Sequence, residues 1–186
     1  MKTIITLGES VMVSDPCYSI PTWCQVKVDG VLPGKYYTFA RQCNDSSWGH
    51  RISGITAVHE DYLNHDLKFR RNTGVVGVDS GQAGIFDLAS YRNDEIAESI
   101  TGGAEFSLGR ADQPGDLWYE KMCRITLDRP SWGGYDSGVV TSSGLGDGSY
   151  DLYTSKVNKK VVALHIDFQL EKKDCSFYKN DIYANI

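Results

Sequence analysis

Gly138-Val-Val-Thr-Ser-Ser-Gly-Leu-Gly-Asp-Gly-Ser-Tyr-Asp-Leu-Tyr153 places a glycine-rich loop between two short strand signatures. Val139–Thr141 is a β-branched run, and an alternating aromatic segment leaves the loop at Ser149–Tyr153. Gly144, Gly146 and Gly148, at alternate positions, let the backbone turn sharply or approach a ligand closely. Between two strands, such a loop reads first as a hairpin. Val78-Asp-Ser-Gly-Gln-Ala-Gly-Ile-Phe-Asp87 repeats the pattern of strand, acid, small residues and acid. The two loops are expected to form one site.

The flanking chain is built from similar pieces. Short β-branched runs at 2–6 and 10–13, separated by Gly8-Glu9-Ser10, read as a hairpin. Residues 22–28 alternate Trp23, Gln25 and Lys27 against Cys24, Val26 and Val28, the period of a strand with one buried face. Further strands are expected at 35–43, at 51–59 with a bulge at Gly54, at 74–79 and at 161–168. Trp118, Met122 and Ile125 recur at helical intervals behind Asp116, which predicts a short amphipathic helix over 117–125 with Asp116 as its N-cap. Phe86–Ser99 has a weaker helical pattern, and 102–115 reads as a loop. The sum is a mainly β chain, an antiparallel sandwich or partly closed barrel with one or two short helices; an α+β arrangement is the alternative. Residues 1–168 form a single β-rich domain in this reading, and 169–186 a C-terminal surface tail.

Bulk composition narrows the functional classes. The chain has 186 residues, enough for one domain with a substantial core, and its 41% hydrophobic and 23% charged content argues against disorder. A net charge of −5 provides no general attraction for nucleic acid. No stretch approaches the ~20 apolar residues a membrane helix needs. Met1–Gly8 reads as a strand rather than a signal peptide, so a cytoplasmic setting is expected. Cys17, Cys24, Cys43, Cys123 and Cys175 show no Cys-x-x-Cys spacing, and the expectation in a reducing cytosol is buried or idle thiols.

Three stretches carry a resemblance: Ser14-Asp-Pro-Cys-Tyr18 followed by Thr22-Trp-Cys24, Val76–Asp87, and Ser142–Tyr150. In these the chain resembles a group of small proteins common in bacteriophage genomes, with relatives in a bacterial family (domain of unknown function 4241). The likeness runs from Val11 to Phe168 and is weakest between Arg92 and Gly115. It implies a phage or bacterial intracellular setting, the host cytoplasm if phage-encoded. It carries over no activity and no catalytic residue, but it marks Asp-Ser-Gly and Gly-Asp-Gly as motifs of the group.

Several chemistries compete for these residues. Asp15, Asp79, Asp87, Asp147 and Asp167 would bind a divalent cation or form an acid/base pair if they converged. Set against this, Asp before Pro and Asp between glycines commonly bond their own backbone. Cys17 or Cys24 with His50 or His59 would make a thiol nucleophile and its base, although a cysteine on an alternating strand more often packs. His165, in mid-strand, reads as a packed histidine. Trp23, Trp48, Trp132, Tyr135, Tyr150 and Tyr153 lie near the loops and would either stack a flat ligand or fill a sandwich core. The resulting expectation is an accessory protein that binds a host protein or a small ligand, a nucleotide being one example. The ligand residues are Asp79, Ser80, Gly81, Gln82, Ser142, Ser143, Gly146, Asp147 and Tyr150. A metal- or carboxylate-dependent hydrolase using Asp79 and Asp147 is the alternative. No catalytic residue, metal ligand or cofactor is otherwise assigned.

Overall fold

A computed structural model describes residues 2–45, 47–170 and 175–176. In chain order the strands are β1 (Lys2–Leu7), β2 (Ser10–Ser14), β3 (Val26–Asp29), β4 (Gly34–Asp45), β5 (Gly49–His59), β6 (Arg70–Val78) and β7 (Gln82–Asp87). The helix α1 (Asp116–Leu127) follows, then β8 (Trp132–Tyr135), β9 (Gly138–Ser142), β10 (Gly148–Val157), β11 (Lys160–Asp167) and β12 (Cys175–Ser176). Two sheets result, ordered β1-β4-β5-β11-β10-β6 with β12 added on β4, and β3-β2-β7-β9-β8. Every ladder between named strands is antiparallel, and neither sheet closes into a barrel. The mainly β reading therefore holds. At twelve residues α1 is far too short to cross a membrane, and no other helix among the described residues is long and apolar enough.

Burial on both faces explains the composition of the inner strands. Along β2, Val11 and Val13 enter the core between the sheets, whereas Met12 packs on the opposite face with Phe86, Val140, Trp118 and Met122. β7 and β9 divide in the same way, Ile85 and Val139 inward, Phe86 and Val140 toward α1. A strand covered on both sides reads as a continuous apolar run. In β11 the alternation breaks because the register with β10 slips between Ser155 and Lys156, leaving Val162 unpaired. Val161, Leu164 and Ile166 consequently face the inter-sheet core, while Val162 and Ala163 pack outward against Val58 and Leu67. A similar register shift between Arg41 and Gln42 makes Ser53 the bulge residue beside Gly54, where the bulge was expected.

Several local expectations fail. The segment Gly8-Glu9 is not a hairpin turn: β1 pairs with β4 in one sheet and β2 with β3 and β7 in the other. The crossing is tied by the Gly8 N–H, which donates to the Asp87 carboxylate at 2.5 Å. Phe86–Ser99 is not a helix; it completes β7, turns, and forms a 3-10 helix only at Asp94–Ser99. Asp116 is not the N-cap of α1, a position taken by Gly115 in the left-handed region at φ 88°. The capping carboxylate belongs to Asp94, which accepts from Gly115 N at 2.7 Å and Trp118 N at 2.9 Å. That placement also sets a negative charge on the positive end of the helix dipole. The idle-thiol expectation fails at Cys43, which is disulfide-bonded and lies opposite Cys175 in the β4–β12 register; Cys17, Cys24 and Cys123 are free. Apart from residues 169–170 and the β12 pairing, the expected tail lies outside the described residues.

Candidate functional site

Asp15 organises the acidic loop after β6. Pro16 holds the preceding residue out of helical backbone, and the fully buried Asp15 carboxylate turns back onto its own chain. Oδ1 accepts from Cys17 N at 2.8 Å and from Ser80 Oγ at 2.7 Å. Oδ2 accepts from Asp79 N at 2.8 Å and Ser80 N at 2.7 Å. Four donors offset the large cost of removing a charge from water. Behind it, the Tyr91 hydroxyl, its pKa pushed up to about 12 by burial, stays neutral and sits 3.0 Å from Asp15 O and 2.7 Å from Tyr18 O. Asp15 therefore does form the expected Asx turn, and it also ties together backbone more than sixty residues apart.

The glycine loop after β9 is a crossing between sheets, not a hairpin. β9 pairs with β7 and β8, whereas β10 pairs with β6 and β11. Gly144 (φ 54°) and Gly146 (φ 118°) take backbone that side chains disfavour, and a Cβ on Gly144 would lie 3.0 Å from that of Phe168. The turn is closed from below by the buried Tyr150, whose hydroxyl donates to Gly146 O at 2.6 Å, and by Ser143 Oγ at 2.8 Å from the same oxygen. Ser143 N donates to Gly81 O at 2.9 Å, and Gly81 N donates to the Asp147 carboxylate at 3.1 Å. The two loops anticipated as one site do meet.

Beside their junction lies a cleft of about 590 Å³, within the range that small-molecule sites occupy. One wall is Gly81 with Ser142–Gly146. The second is the end of α1, at Thr126 and Leu127, with the turn Arg129-Pro-Ser131. The third comes from the β4–β5 hairpin, at Gln42 and His50–Ile52. Of the nine expected ligand residues, Gly81, Ser142, Ser143 and Gly146 line this cleft. The other five do not: Asp79 and Ser80 are held by Asp15, Gln82 is buried with its Nε2 3.4 Å from Cys123 Sγ, and Asp147 and Tyr150 brace the turn. Arg51, Arg129 and Ser131 were missed, and His50 was expected only as a base beside a cysteine, because nothing in the local pattern of either segment places it opposite the glycine loop.

The other chemistries find less support in the geometry. None of the six expected aromatic residues lines the cleft; Trp132 is in the inter-sheet core, and Tyr135 Oη accepts from Trp118 Nε1 at 3.1 Å. The Cys17 thiol is pushed up by burial and then by the Asp15 and Asp79 carboxylates, with Arg92 as the opposing charge, so it is a poor nucleophile. Burial likewise raises Cys123 and Tyr119, and raises Tyr18 together with its hydrogen bond to Asp79. Asp87 accepts from Gly8 N and Ala89 N, and Asp167 pairs with Arg41 at 3.5 Å. Among the described residues no group of three or more His, Cys, Asp or Glu is suited to a metal ion. His165 is fully buried with Nδ1 2.9 Å from Thr56 Oγ1. No family model, curated protein or solved structure matches the chain.

Proposed function

We propose that the chain is an accessory binding protein of the phage-associated group it resembles, holding a small ligand in the cleft beside the junction of the two loops. The host cytoplasm is the setting this reading carries. The supporting observation is the preformed wall: Gly81 and Ser142–Gly146 are fixed by internal bonds to Asp147, Ser143 and Tyr150, yet border an open cleft. A wall fixed before binding spares the ligand the entropy of ordering it. The three stretches that carry the resemblance also converge, through Asp15 to Asp79 and Ser80 and through Gly81 to Asp147. The hydrolase alternative gains nothing comparable, since the Asp147 carboxylate is engaged by backbone.

The test is an amide NMR screen of the whole protein against a library of neutral and charged small metabolites. Saturable shifts confined to Gly81, Ser142–Gly146, Arg51 and Arg129 are expected, with the compounds recovered chemically unchanged. A library that leaves those amides unmoved, or hits that map only to the exposed Ile20–Trp23 loop, would contradict the reading.

A further inference from the structure

The charges around the cleft identify a ligand class, an inference that rests on the binding reading above. Its walls carry Arg51, Arg129 and His50 and, among the described residues, no Asp or Glu. The chain has eight arginines. Five of them, Arg41, Arg71, Arg92, Arg110 and Arg124, pair with a carboxylate. Among the described residues Arg51, Arg70 and Arg129 do not, and of these Arg51 and Arg129 border the cleft. The Arg51 side chain donates to His50 O, at 3.2 Å.

Opposing charge is close but weaker. The C-terminal end of α1 contributes roughly half a negative charge to the second wall. Asp128 is exposed, does not line the cleft and accepts the backbone N–H of Arg129. Asp147 is turned onto Gly81 N. Two guanidinium charges outweigh a half-charge at the rim. Ser131 and Ser142 add hydroxyl groups, and the bond from Ser142 N to Ser131 O, 2.9 Å, joins the two walls that carry them. Guanidinium groups with hydroxyl donors match phosphate oxygens. Among the described residues the lining holds no Phe, Tyr or Trp ring, the usual platform for a nucleobase.

We infer that the cleft binds the phosphate group of a small phosphorylated molecule, with Arg51 and Arg129 as the charge-bearing contacts.

Titration calorimetry on wild type, Arg51→Gln, Arg129→Gln and the double variant tests this with four probes: inorganic pyrophosphate, glucose 6-phosphate, citrate and glucose. The wild type is expected to bind both phosphates, more weakly as salt rises. Each substitution should weaken them by about ten-fold, as loss of one charged hydrogen-bonding partner does. Both arginines are at the surface, so the unliganded thermal midpoint should stay unchanged. Binding of citrate but neither phosphate overturns the inference, as does phosphate binding that ignores both substitutions. If the phosphates fail while neutral library compounds shift the cleft amides, the inference falls and the binding reading stands. If nothing in either experiment binds, both fall.

Discussion

Replacing Asp15 by alanine will destabilise the fold by about 4 kcal/mol or more, a large share of the ~5–15 kcal/mol that holds a domain of this kind together. The magnitude follows from what one carboxylate satisfies: three backbone N–H groups, on Cys17, Asp79 and Ser80, and the Ser80 hydroxyl. Alanine leaves all of these part-buried donors without their acceptor, and an unsatisfied group costs roughly 1–3 kcal/mol where it is fully buried. Asparagine keeps one acceptor oxygen and should fall between the two. Urea denaturation followed by circular dichroism measures the series. A loss below about 1 kcal/mol in the alanine variant would mean that water replaces the carboxylate and that the loop is not held by it.

Trp118→Ala is the second large effect, expected to cost about 3–5 kcal/mol as a buried aromatic reduced to a cavity. Trp118 is fully buried, with its ring centroid 5.1 Å from Phe86, 5.2 Å from Tyr91 and 6.3 Å from Tyr135 in edge-on contacts. Its Nε1–H donates to Tyr135 Oη. It is the principal anchor of α1 on the outer face of the second sheet, and the far end of α1 forms a wall of the cleft. Ligand binding should therefore weaken along with stability. Trp118→Phe, which keeps most of the apolar volume, should lose much less of both. Chemical denaturation reads the first effect, and a loss under about 1.5 kcal/mol for the alanine variant would show that the cluster collapses around the gap.

The strands were legible because their signal is local. Alternation at Val26–Asp29 and β-branched runs in β2, β9 and β11 come from side chains that must face a core. The way strands join into sheets is not local. Gly8-Glu9 and Gly144–Asp147 carry hairpin chemistry, yet each takes the chain from one sheet to the other. What makes them crossings is supplied from afar, by Asp87 on Gly8 and by Phe168 and Tyr150 around the glycine loop. The helix start behaves the same way, since its cap, Asp94, lies twenty-four residues before the Trp118 N–H it accepts. At the site, composition led to two loops that do meet beside the cleft but could not separate residues that face the cleft from those that hold it. Asp79, Ser80, Asp147 and Tyr150 looked like ligand groups because polar side chains beside glycines serve both ends. Arg51 and Arg129 left no trace, as each sits in an ordinary turn or strand end.

The acids of the two loops are structural ties, and the cleft beside them is the proposed working surface. Amide hydrogen exchange of the unliganded wild type tests the first half directly. Asp79 is exposed, and its loop would ordinarily exchange fast. The Asp79 and Ser80 amides, bonded to the Asp15 carboxylate, are expected to exchange as slowly as strand amides such as Val76 and Ile85. Exchange at the rate of the exposed 102–110 loop would show that Asp15 does not hold them and that the loop acids are not structural ties.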